Sequence, residues 1–431
     1  MHSKELKPRR LFVLGFFVVI LAGTALLMLP VSTGTDECLS FFDSLFMATS
    51  AVCVTGLATI DPGTGLSVFG QAVMMGLIQV GGLGITSIGV MVIMSAGGKI
   101  SMGNQKLAKE SLNLNSGKGL KNVIKSVAHV TVAFEFGGAV CSFITFYGDF
   151  SPEKAVWLSC FHSIAAFNNA GFDLLGDFKS LTDYHADAWL CCSTSGLIIF
   201  GGLGFFVIKE LISGKTPRKW SLHTKVVITM TVALIIGGTL FLKATEGGDI
   251  SWLEAYFQSV SSRTAGFASI SMGNLSKAGL MVIMLLMFIG ASSGSTGGGI
   301  KTSTFFILLQ GIKSSATNKM EEAFHYAVPA NAFHKAAVIT LIAIGVILTG
   351  TYVMVIMEPG VSSIDALFEM TSAFGTVGLS TGITPDLSVG AKLLSIMVMY
   401  IGRLGPLTIA SLWYFIKGER TRYPEGNISI G

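Results

Sequence analysis

Long apolar runs alternate along the chain with shorter, half-apolar ones. A helix that crosses a bilayer needs about 20 apolar residues. Eight runs reach that length, at 11–31, 67–96, 126–147, 188–209, 226–243, 278–311, 336–357 and 391–416. A shorter segment lies between the members of each successive pair, at 40–55, 154–170, 252–265 and 362–377. These four segments are too short to cross, so they are predicted to form re-entrant or buried helices.

The ends of the four short segments repeat one pattern: small or polar residues, then glycine, then a bulky apolar residue. The repeated triplets are Val54-Thr55-Gly56, Asn169-Ala170-Gly171, Thr264-Ala265-Gly266 and Thr376-Val377-Gly378. A phenylalanine precedes the glycine by ten residues in three cases and by nine in the third. Internal repetition of this kind indicates repeated structural units. We predict four, at residues 1–98, 99–213, 214–313 and 314–431.

The triplets have the chemistry of a cation filter. A selective filter replaces the hydration shell of the ion with backbone carbonyl oxygens, and glycine can adopt the positive φ that turns carbonyls inward. The carboxyl end of each short helix would also present its negative dipole end to a cation. The predicted fold is therefore an all-α integral membrane protein: eight transmembrane helices and four re-entrant pore helices around a pseudo-fourfold pore.

A second set of glycines follows 24 to 30 residues after each triplet glycine and interrupts the second span of each unit. In Gly81–Gly84, Gly201–Gly204 and Gly402–Gly405 close helix packing is the more ordinary role. The third unit differs, because non-helical backbone at membrane depth is tolerated only beside protein or a watery cavity. A break at the pore, and a candidate gate, is predicted from Gly290, Ser292, Ser293, Gly294, Ser295, Thr296, Gly297, Gly298 and Gly299.

Composition agrees with this pattern. Hydrophobic residues make up 51% of the chain and charged residues 13%, against about 25% charged in soluble domains. The mean hydropathy is +0.67, which excludes soluble enzymes and nucleic-acid binders. An intramembrane enzyme is a remote alternative, because no apolar run contains two acids or a zinc-binding HExxH. The six cysteines lack metal-ligand spacing, and the first apolar run is too long for a signal peptide.

Basic residues are concentrated in one set of connecting segments. The N-terminus, the loops 97–125, 209–225 and 313–335 and the C-terminal tail hold 21 of the 29 Lys and Arg. The positive-inside rule therefore predicts a multi-pass plasma-membrane protein with both termini cytoplasmic. The opposite side is acidic, which would raise the local cation concentration, although acidic outer loops are also common as merely solvated segments.

The four triplets, the glycine-rich break, Gly402-Arg-Leu-Gly-Pro406 and the tail Arg422-Tyr-Pro-Glu-Gly426 resemble the membrane subunits of bacterial Ktr potassium uptake systems, in the Trk/Ktr/HKT superfamily. The resemblance covers essentially the whole chain. It implies potassium uptake stimulated by sodium, with K⁺ bound by the carbonyls of the triplets, and one pore in each subunit of a homodimer. It also implies a cytoplasmic ring of nucleotide-binding RCK subunits of the KtrA type, so that nucleotide is expected on the partner only.

One glycine in each filter marks potassium selectivity in that family, and all four are present here. The alternative is a less selective Na⁺/K⁺ transporter of the HKT or Trk type, in which some relatives carry serine at the first filter position. The resemblance also implies that Arg403 faces the broken third-unit loop and helps to form the gate. Lys301 either hydrogen-bonds neighbouring carbonyls or extends to the cytoplasm.

Three further polar residues lie within apolar or filter segments. Arg263 directly precedes the third filter, and we expect its side chain to point behind the filter and pair with an acid, one of Asp43, Glu254, Asp365 and Glu369. Glu135 is predicted to be a paired structural carboxylate between helices, with a proton relay as the alternative. His162 is predicted to pack in the interior and not to bind metal.

Overall fold

The computed structural model describes residues 8–34, 38–84, 88, 120–318, 322–329, 331–406 and 408–409. Fifteen α-helices lie within these residues. The first eight are α1 (Pro8–Leu27), α2 (Phe41–Cys53), α3 (Pro62–Gly65), α4 (Val68–Leu83), α5 (Leu120–Asp149), α6 (Pro152–Phe167), α7 (Ala188–Leu203) and α8 (Phe205–Ile212).

The remaining seven helices are α9 (Leu222–Glu246), α10 (Trp252–Ser261), α11 (Lys277–Phe288), α12 (Thr302–Thr317), α13 (Ala332–Met357), α14 (Ser363–Gly375) and α15 (Val389–Leu404). A two-stranded antiparallel hairpin, β1 (Glu322–Ala323) and β2 (Tyr326–Ala327), joins α12 to α13. The four predicted short helices are therefore α2, α6, α10 and α14, and each begins and ends within a few residues of its expected bounds.

Serine side chains cap the starts of three of the four short helices. Ser40, Ser251 and Ser362 precede α2, α10 and α14, and each side chain accepts a hydrogen bond from the backbone N–H three residues on. Such caps satisfy one of the free N–H groups at a helix start. Three of the four short helices thus begin with the same local device, as repeated units should.

The units are arranged in a closed circle. Helix α4 packs on α6, α7 on α10, α11 on α14, and α15 on α2, so the fourth unit adjoins the first. Two contacts join these last two units: Lys392 Nζ lies 2.7 Å from Asp43 Oδ1, and Tyr400 Oη donates to Val13 O at 2.6 Å. The short helices face the centre of the circle, and their repeated phenylalanines, Phe46, Phe161, Phe257 and Phe368, are almost fully buried.

Three helices of the described residues are long and apolar enough to cross a membrane: the segment 124–149 of α5, α9 and α13. Counting α7 and α8 together, which meet at an angle of 105°, gives a fourth. Three helices, α4, α7 and α15, each end just before a glycine with positive φ. These glycines are Gly84, Gly204 and Gly405. The sequence pattern predicted that the repeated glycines interrupt a span. In the structure the last glycine of each of these three groups ends a helix.

The Lys392–Asp43 pair should contribute to stability with a defined pH dependence. Burial alone would raise the pKa of the Asp43 carboxyl, but hydrogen bonds from Lys392 and Ser40 and the charge of Lys392 hold that pKa below its ordinary value. The contribution is therefore present above the ordinary pKa of aspartate, about 4, and is lost as pH falls through the lowered pKa. Replacing Lys392 by Met should lower the free energy of unfolding at pH 7 by about 1–2 kcal/mol, between the values for exposed and buried pairs.

Thermal unfolding in detergent measures this difference. Lys277→Met is the matched control, since Lys277 is exposed at the start of α11 and forms no ion pair with any described residue. A Lys392→Met protein as stable as Lys277→Met at pH 7 would contradict the prediction, as would a difference that persists unchanged into strongly acidic solution.

Candidate functional site

The four short helices end in backbone turns of one kind. The residue two before each glycine has positive φ, at Val54 (57°), Asn169 (59°), Thr264 (78°) and Thr376 (50°). The glycines have positive φ as well, at Gly56 (99°), Gly171 (65°), Gly266 (83°) and Gly378 (99°). Positive φ is unusual for valine and threonine and costs about 1–3 kcal/mol per residue, strain that is typical of functional sites.

The four turns meet in a closed ring. A Cβ added to Gly56 would lie 2.5 Å from Ala170 O, and one added to Gly171 would lie 2.5 Å from Ala265 O. In the same way Gly266 abuts Val377 O and Gly378 abuts Thr55 O. Each glycine therefore faces the carbonyl just before the glycine of the next unit, and the sequence of contacts returns to its start after four steps.

The backbone N–H groups of the turns point back to their own helices. In the first unit, the N–H groups of Val54 and Thr55 donate to Ala51 O and Ser50 O, and that of Gly56 donates to Ser50 Oγ at 3.1 Å. The fourth unit repeats this with Ala373 O, Ser372 O and Ser372 Oγ. In the third, Ala265 and Gly266 both donate to Ser261 O. The donors are thus held away from the centre of the ring.

The carbonyls of the turns are left without such partners. Thr55 O, Ala170 O, Ala265 O and Val377 O accept no hydrogen bond from any residue that the structure describes. Buried carbonyls are normally paired. Four unpaired carbonyls around one ring can instead replace the hydration shell of a cation. These residues belong to the triplets that the sequence predicts as a filter, a role that stays a prediction. The repeat pattern did not single out the hydroxyls of Ser50 and Ser372, although each lies six residues before its ring glycine.

The second set of glycines brings a helix against each short helix. A Cβ on Gly81, Gly201 or Gly402 would overlap Val52 O, Phe167 O or Phe374 O, the carbonyl four residues before the ring glycine. Close packing, the ordinary role, is therefore the observed one in these three units. In the third unit Gly290 instead faces Gly298 O and the side chain of Thr264.

The third-unit segment is broken as predicted, between α11 and α12. Its ends lie side by side, since Ile289 and Ile300 pair as a parallel bridge. The loop between them lies against the second unit: Ser292 N donates to Gly202 O at 3.0 Å, Thr296 N to Gly201 O at 3.3 Å, and Gly294 O accepts from Phe205 N at 3.2 Å.

The other loop residues bind within the segment or to the ring. The hydroxyls of Ser292 and Ser293 lie 3.1 and 3.2 Å from those of Thr302 and Ser303, and Ser295 Oγ donates to Ser292 O at 2.6 Å. A Cβ on Gly297 or Gly298 would overlap the hydroxyl of Thr264 or Thr376, and Gly299 has positive φ. The loop therefore touches the ring residues directly.

Two half-buried cations bind the loop. Lys301 Nζ donates to Gly297 O at 2.7 Å, so the first of its two alternatives is the observed one. Arg403 donates from one terminal nitrogen to Thr296 O of the loop and from the other to Gly81 O of the first unit. The arginine thus ties three units together at the loop.

Arg263 has no acidic partner among the described residues, so that expectation was wrong. Asp43 pairs with Lys392, Glu369 is hydrogen-bonded to Thr384, and Glu254 and Asp365 accept at the starts of their own helices. The arginine instead lines a small cavity behind the ring with Ile198, Gly202 and Thr231.

Glu135 lies in a polar cluster behind the second turn. Its carboxylate oxygens accept from Gln79 Nε2 at 3.2 Å and Asn168 Nδ2 at 3.0 Å, and Asn168 Nδ2 also donates to Gln79 Oε1 at 2.8 Å. The carboxylate therefore joins α4, α5 and the end of α6 through amides and not through a cation. His162 is buried and binds Thr194 Oγ1 at 2.8 Å, and no group of three or more His, Cys, Asp or Glu in the described residues could hold a metal ion.

Acidic residues follow the first and second turns. Asp61 accepts from Gly63 N, Thr64 Oγ1 and Asp177 N, which joins the segments that follow the first and second turns. Burial, together with the charge of Asp61, raises the pKa of Asp173, two residues after Gly171, to about 7. This carboxyl can therefore change its charge near neutral pH.

Comparison with known proteins agrees with this arrangement. The family model of TrkH, described as a cation transport protein, matches residues 14–244 and 220–417. The potassium/sodium uptake protein NtpJ of Enterococcus hirae is 38% identical over 99% of this chain and 98% of its own length. The Ktr system potassium uptake protein B of Bacillus subtilis is 37% identical over 98% and 97%.

A solved structure has the same fold. The potassium transporter TrkH from Vibrio parahaemolyticus superposes with a TM-score of 0.72 at 19% sequence identity, covering 96% of this chain and 87% of that one.

Proposed function

This chain belongs to the TrkH family of cation transport proteins, and from that premise we propose that it takes up potassium ions through a pore lined by the four glycine turns. It is an alkali-cation transporter of the Trk/Ktr type and not an enzyme, as its relatives and its fold are those of ion transporters. The proposed filter consists of residues 54–56, 169–171, 264–266 and 376–378.

One observation carries this proposal: the ring of Gly56, Gly171, Gly266 and Gly378 closes on itself with its N–H groups turned outward and its carbonyls free. Such carbonyls favour a cation over an anion, and a rigid, crowded ring favours a defined ion size. With it we propose four units at 1–98, 99–213, 214–313 and 314–431, each with two spans and one re-entrant helix. The basic residues of the connecting segments support cytoplasmic termini.

A less selective Na⁺/K⁺ transporter is the second candidate. The name of the Enterococcus relative, potassium/sodium uptake protein NtpJ, favours it. Glycine at all four ring positions supports the potassium-selective alternative. Expression in cells that lack their own potassium uptake systems, with K⁺ and Na⁺ uptake measured with and without external sodium, distinguishes them. Absence of any K⁺ uptake, with the protein present in the membrane, would contradict both.

We further propose that the loop 290–299 is a gate. It contacts the ring threonines Thr264 and Thr376 from one side, and the cations of Lys301 and Arg403 lie beside it. Positive charge at this point opposes the passage of K⁺ as well as fixing the loop. Opening then requires the loop to leave the ring and Arg403 to release Thr296 O.

The partners proposed are a second copy of this chain, in a homodimer, and a cytoplasmic ring of RCK subunits that carries the nucleotide. Three relatives are named as proteins of a Ktr system, and such names denote a system of several components. These names support a regulatory partner. Sodium stimulation is proposed with them, and K⁺ is the transported substrate. The C-terminal tail and the basic loop 97–125 are the segments that we propose to meet the regulator. The tail from 410 onward and most of that loop lie outside the described residues.

Deletion of residues 423–431 should weaken assembly without preventing membrane insertion. The segment includes all but the first residue of the family-like Arg422-Tyr-Pro-Glu-Gly426 stretch and ends in the uncharged Asn427-Ile-Ser-Ile-Gly431, which suits contact with protein better than with water. Crosslinking and co-purification with an RCK subunit measure the effect, and replacing Lys417 by Ala is the control for a change elsewhere in the tail. Unaltered dimer and regulator recovery would count against the proposed contact.

A further inference from the structure

A fully buried carboxyl lies behind the fourth turn of the ring. Glu369 on α14 has no exposed surface. Its Oε1 lies 2.5 Å from Thr384 Oγ1, and Thr384 Oγ1 lies 2.9 Å from Ser380 Oγ. Its Oε2 is buried without a partner among the described residues. In the described residues, this side chain makes no hydrogen bond to the ring residues or to the loop 290–299.

The position of this chain of hydrogen bonds relates it to the ring. Glu369 stands nine residues before Gly378, whereas Ser380 and Thr384 follow that glycine by two and six residues. Ser380 Oγ also accepts from Gly382 N at 3.0 Å. The carboxyl therefore joins the helix before the turn to the segment after it, across the back of the fourth filter strand.

The surroundings of Glu369 provide no counter-charge. Helices α11, α13 and α15 pack on α14. The charged and titratable groups of these helices and of the segments beside them are Asp365 on α14, Lys277 on α11, His334, Lys335 and Tyr352 on α13, Lys392, Tyr400 and Arg403 on α15, Glu358 just after α13, and Asp386 after Gly378. None of them hydrogen-bonds or ion-pairs with Glu369 in the described residues. Lys392 is paired with Asp43, and Arg403 binds backbone carbonyls.

The proton on Glu369 decides the direction of the hydrogen bonds. Thr384 has one hydroxyl hydrogen and two oxygen neighbours. If Glu369 is neutral, its O–H donates to Thr384 and Thr384 donates to Ser380. If Glu369 is ionised, Thr384 donates to the carboxylate and Ser380 must donate to Thr384. A buried carboxylate without a cation is far more costly than a neutral carboxyl.

We propose that Glu369 is a proton-binding site and a positioning residue of the fourth filter strand, holding a proton that orders Thr384 and Ser380 behind Gly378. The consequence for transport rests on the proposed potassium uptake. Loss of this proton in alkaline solution would reverse the hydrogen bonds and place a negative charge behind one quarter of the ring. Preference for K⁺ over Na⁺ should then fall at high external pH.

Two substitutions separate the proton from the side chain. Glu369→Gln retains a neutral, hydrogen-bonding group of the same shape, so the K⁺/Na⁺ uptake ratio should stay within about twofold of wild type at neutral pH and lose its decline at alkaline pH. Glu369→Ala removes the partner of Thr384, and the ratio should fall about tenfold, the change expected for a lost buried hydrogen bond. Thr384→Val should reproduce that fall and replaces the alanine variant as the test if the latter does not reach the membrane.

Infrared spectra of the purified full-length protein test the protonation without relying on transport. Wild type minus Glu369→Gln at neutral pH should show the carbonyl stretch of a protonated carboxyl, whereas wild type minus Glu254→Gln, at a partly exposed glutamate on α10, should not. A missing band, or a Gln variant as impaired as the alanine variant, would overturn the inference. Wild type that takes up no K⁺ would refute the proposed function, while the spectra would still decide the charge of Glu369.

Discussion

Gly56→Ser should reduce the preference for potassium over sodium by about tenfold or more. The new Cβ would lie 2.5 Å from Ala170 O and 3.2 Å from the Cα atoms of Gly171 and Gly378, so backbone in the neighbouring units must move. Serine at a φ of 99° is also strained, by about 1–3 kcal/mol. Since 1.4 kcal/mol is about a factor of ten, displacement of the ring carbonyls should abolish much of the discrimination. The ratio of K⁺ to Na⁺ uptake measures the effect, and Gly378→Ser should behave alike.

Gly76→Ser is the matched control. Gly76 belongs to the same unit, on α4, and a Cβ there meets no atom within 4 Å. It should leave the ratio unchanged at equal membrane expression. An unchanged ratio in Gly56→Ser would exclude the first turn from the filter, and a loss of the same size in Gly76→Ser would show that the effect is not specific to the ring.

Deletion of residues 292–298 should raise potassium flux and make it less dependent on the regulator. The cut ends can rejoin without moving α11 or α12, because Ile289 and Ile300 are already paired and Gly299 approaches Gly290. The deletion removes the residues that touch Thr264 and Thr376 below the ring. An increase of about tenfold corresponds to removing about 1.4 kcal/mol from the barrier to conduction, the scale of a single hydrogen bond to a charged group.

Arg403→Ala should change flux in the same direction by a smaller amount, since it releases Thr296 O but leaves Lys301 on Gly297 O. Arg218→Ala, at an exposed arginine in the turn before α9, is the control. Flux into liposomes, or uptake by cells with and without the regulatory partner, provides the measurement. A folded, membrane-inserted deletion protein with flux equal to or below wild type would identify the loop as a structural kink.

The linear order of elements could be predicted because each depends on a short window of sequence. The lengths of the apolar runs separated the segments of α2, α6, α10 and α14 from the eight longer runs, and the repeated glycines marked all four turns. The break between Gly290 and Gly299 was predictable for the same reason: so many glycine and hydroxyl residues cannot continue a helix. Lys301 was assigned to this region because it directly follows the loop in the sequence, and Arg403 because the family resemblance implies that it faces the loop.

Contacts between units could not be predicted in this way. Arg263 was expected to meet an acid, but the acids proposed were already used by Lys392, by Thr384 and by helix starts, which no count along the chain reveals. The Asn168–Glu135 contact likewise joins residues 33 positions apart whose meeting depends on how α5 packs on α6. Pairings of this kind are set by the circular packing of the units and not by local pattern.

Within the part of the chain that the structure describes, a loop like 290–299 occurs in the third unit alone, and this asymmetry follows from what each task requires. A cation inside the proposed filter must be surrounded, so duplicated units are constrained to keep the same backbone turn on every side. Obstruction of a narrow passage needs a single obstacle. Three units were therefore free to retain compact glycine packing at Gly81, Gly201 and Gly402, and one could specialise. In such a pore the permeability can change without all four units moving together. A regulator therefore needs to act only on the third unit of each subunit.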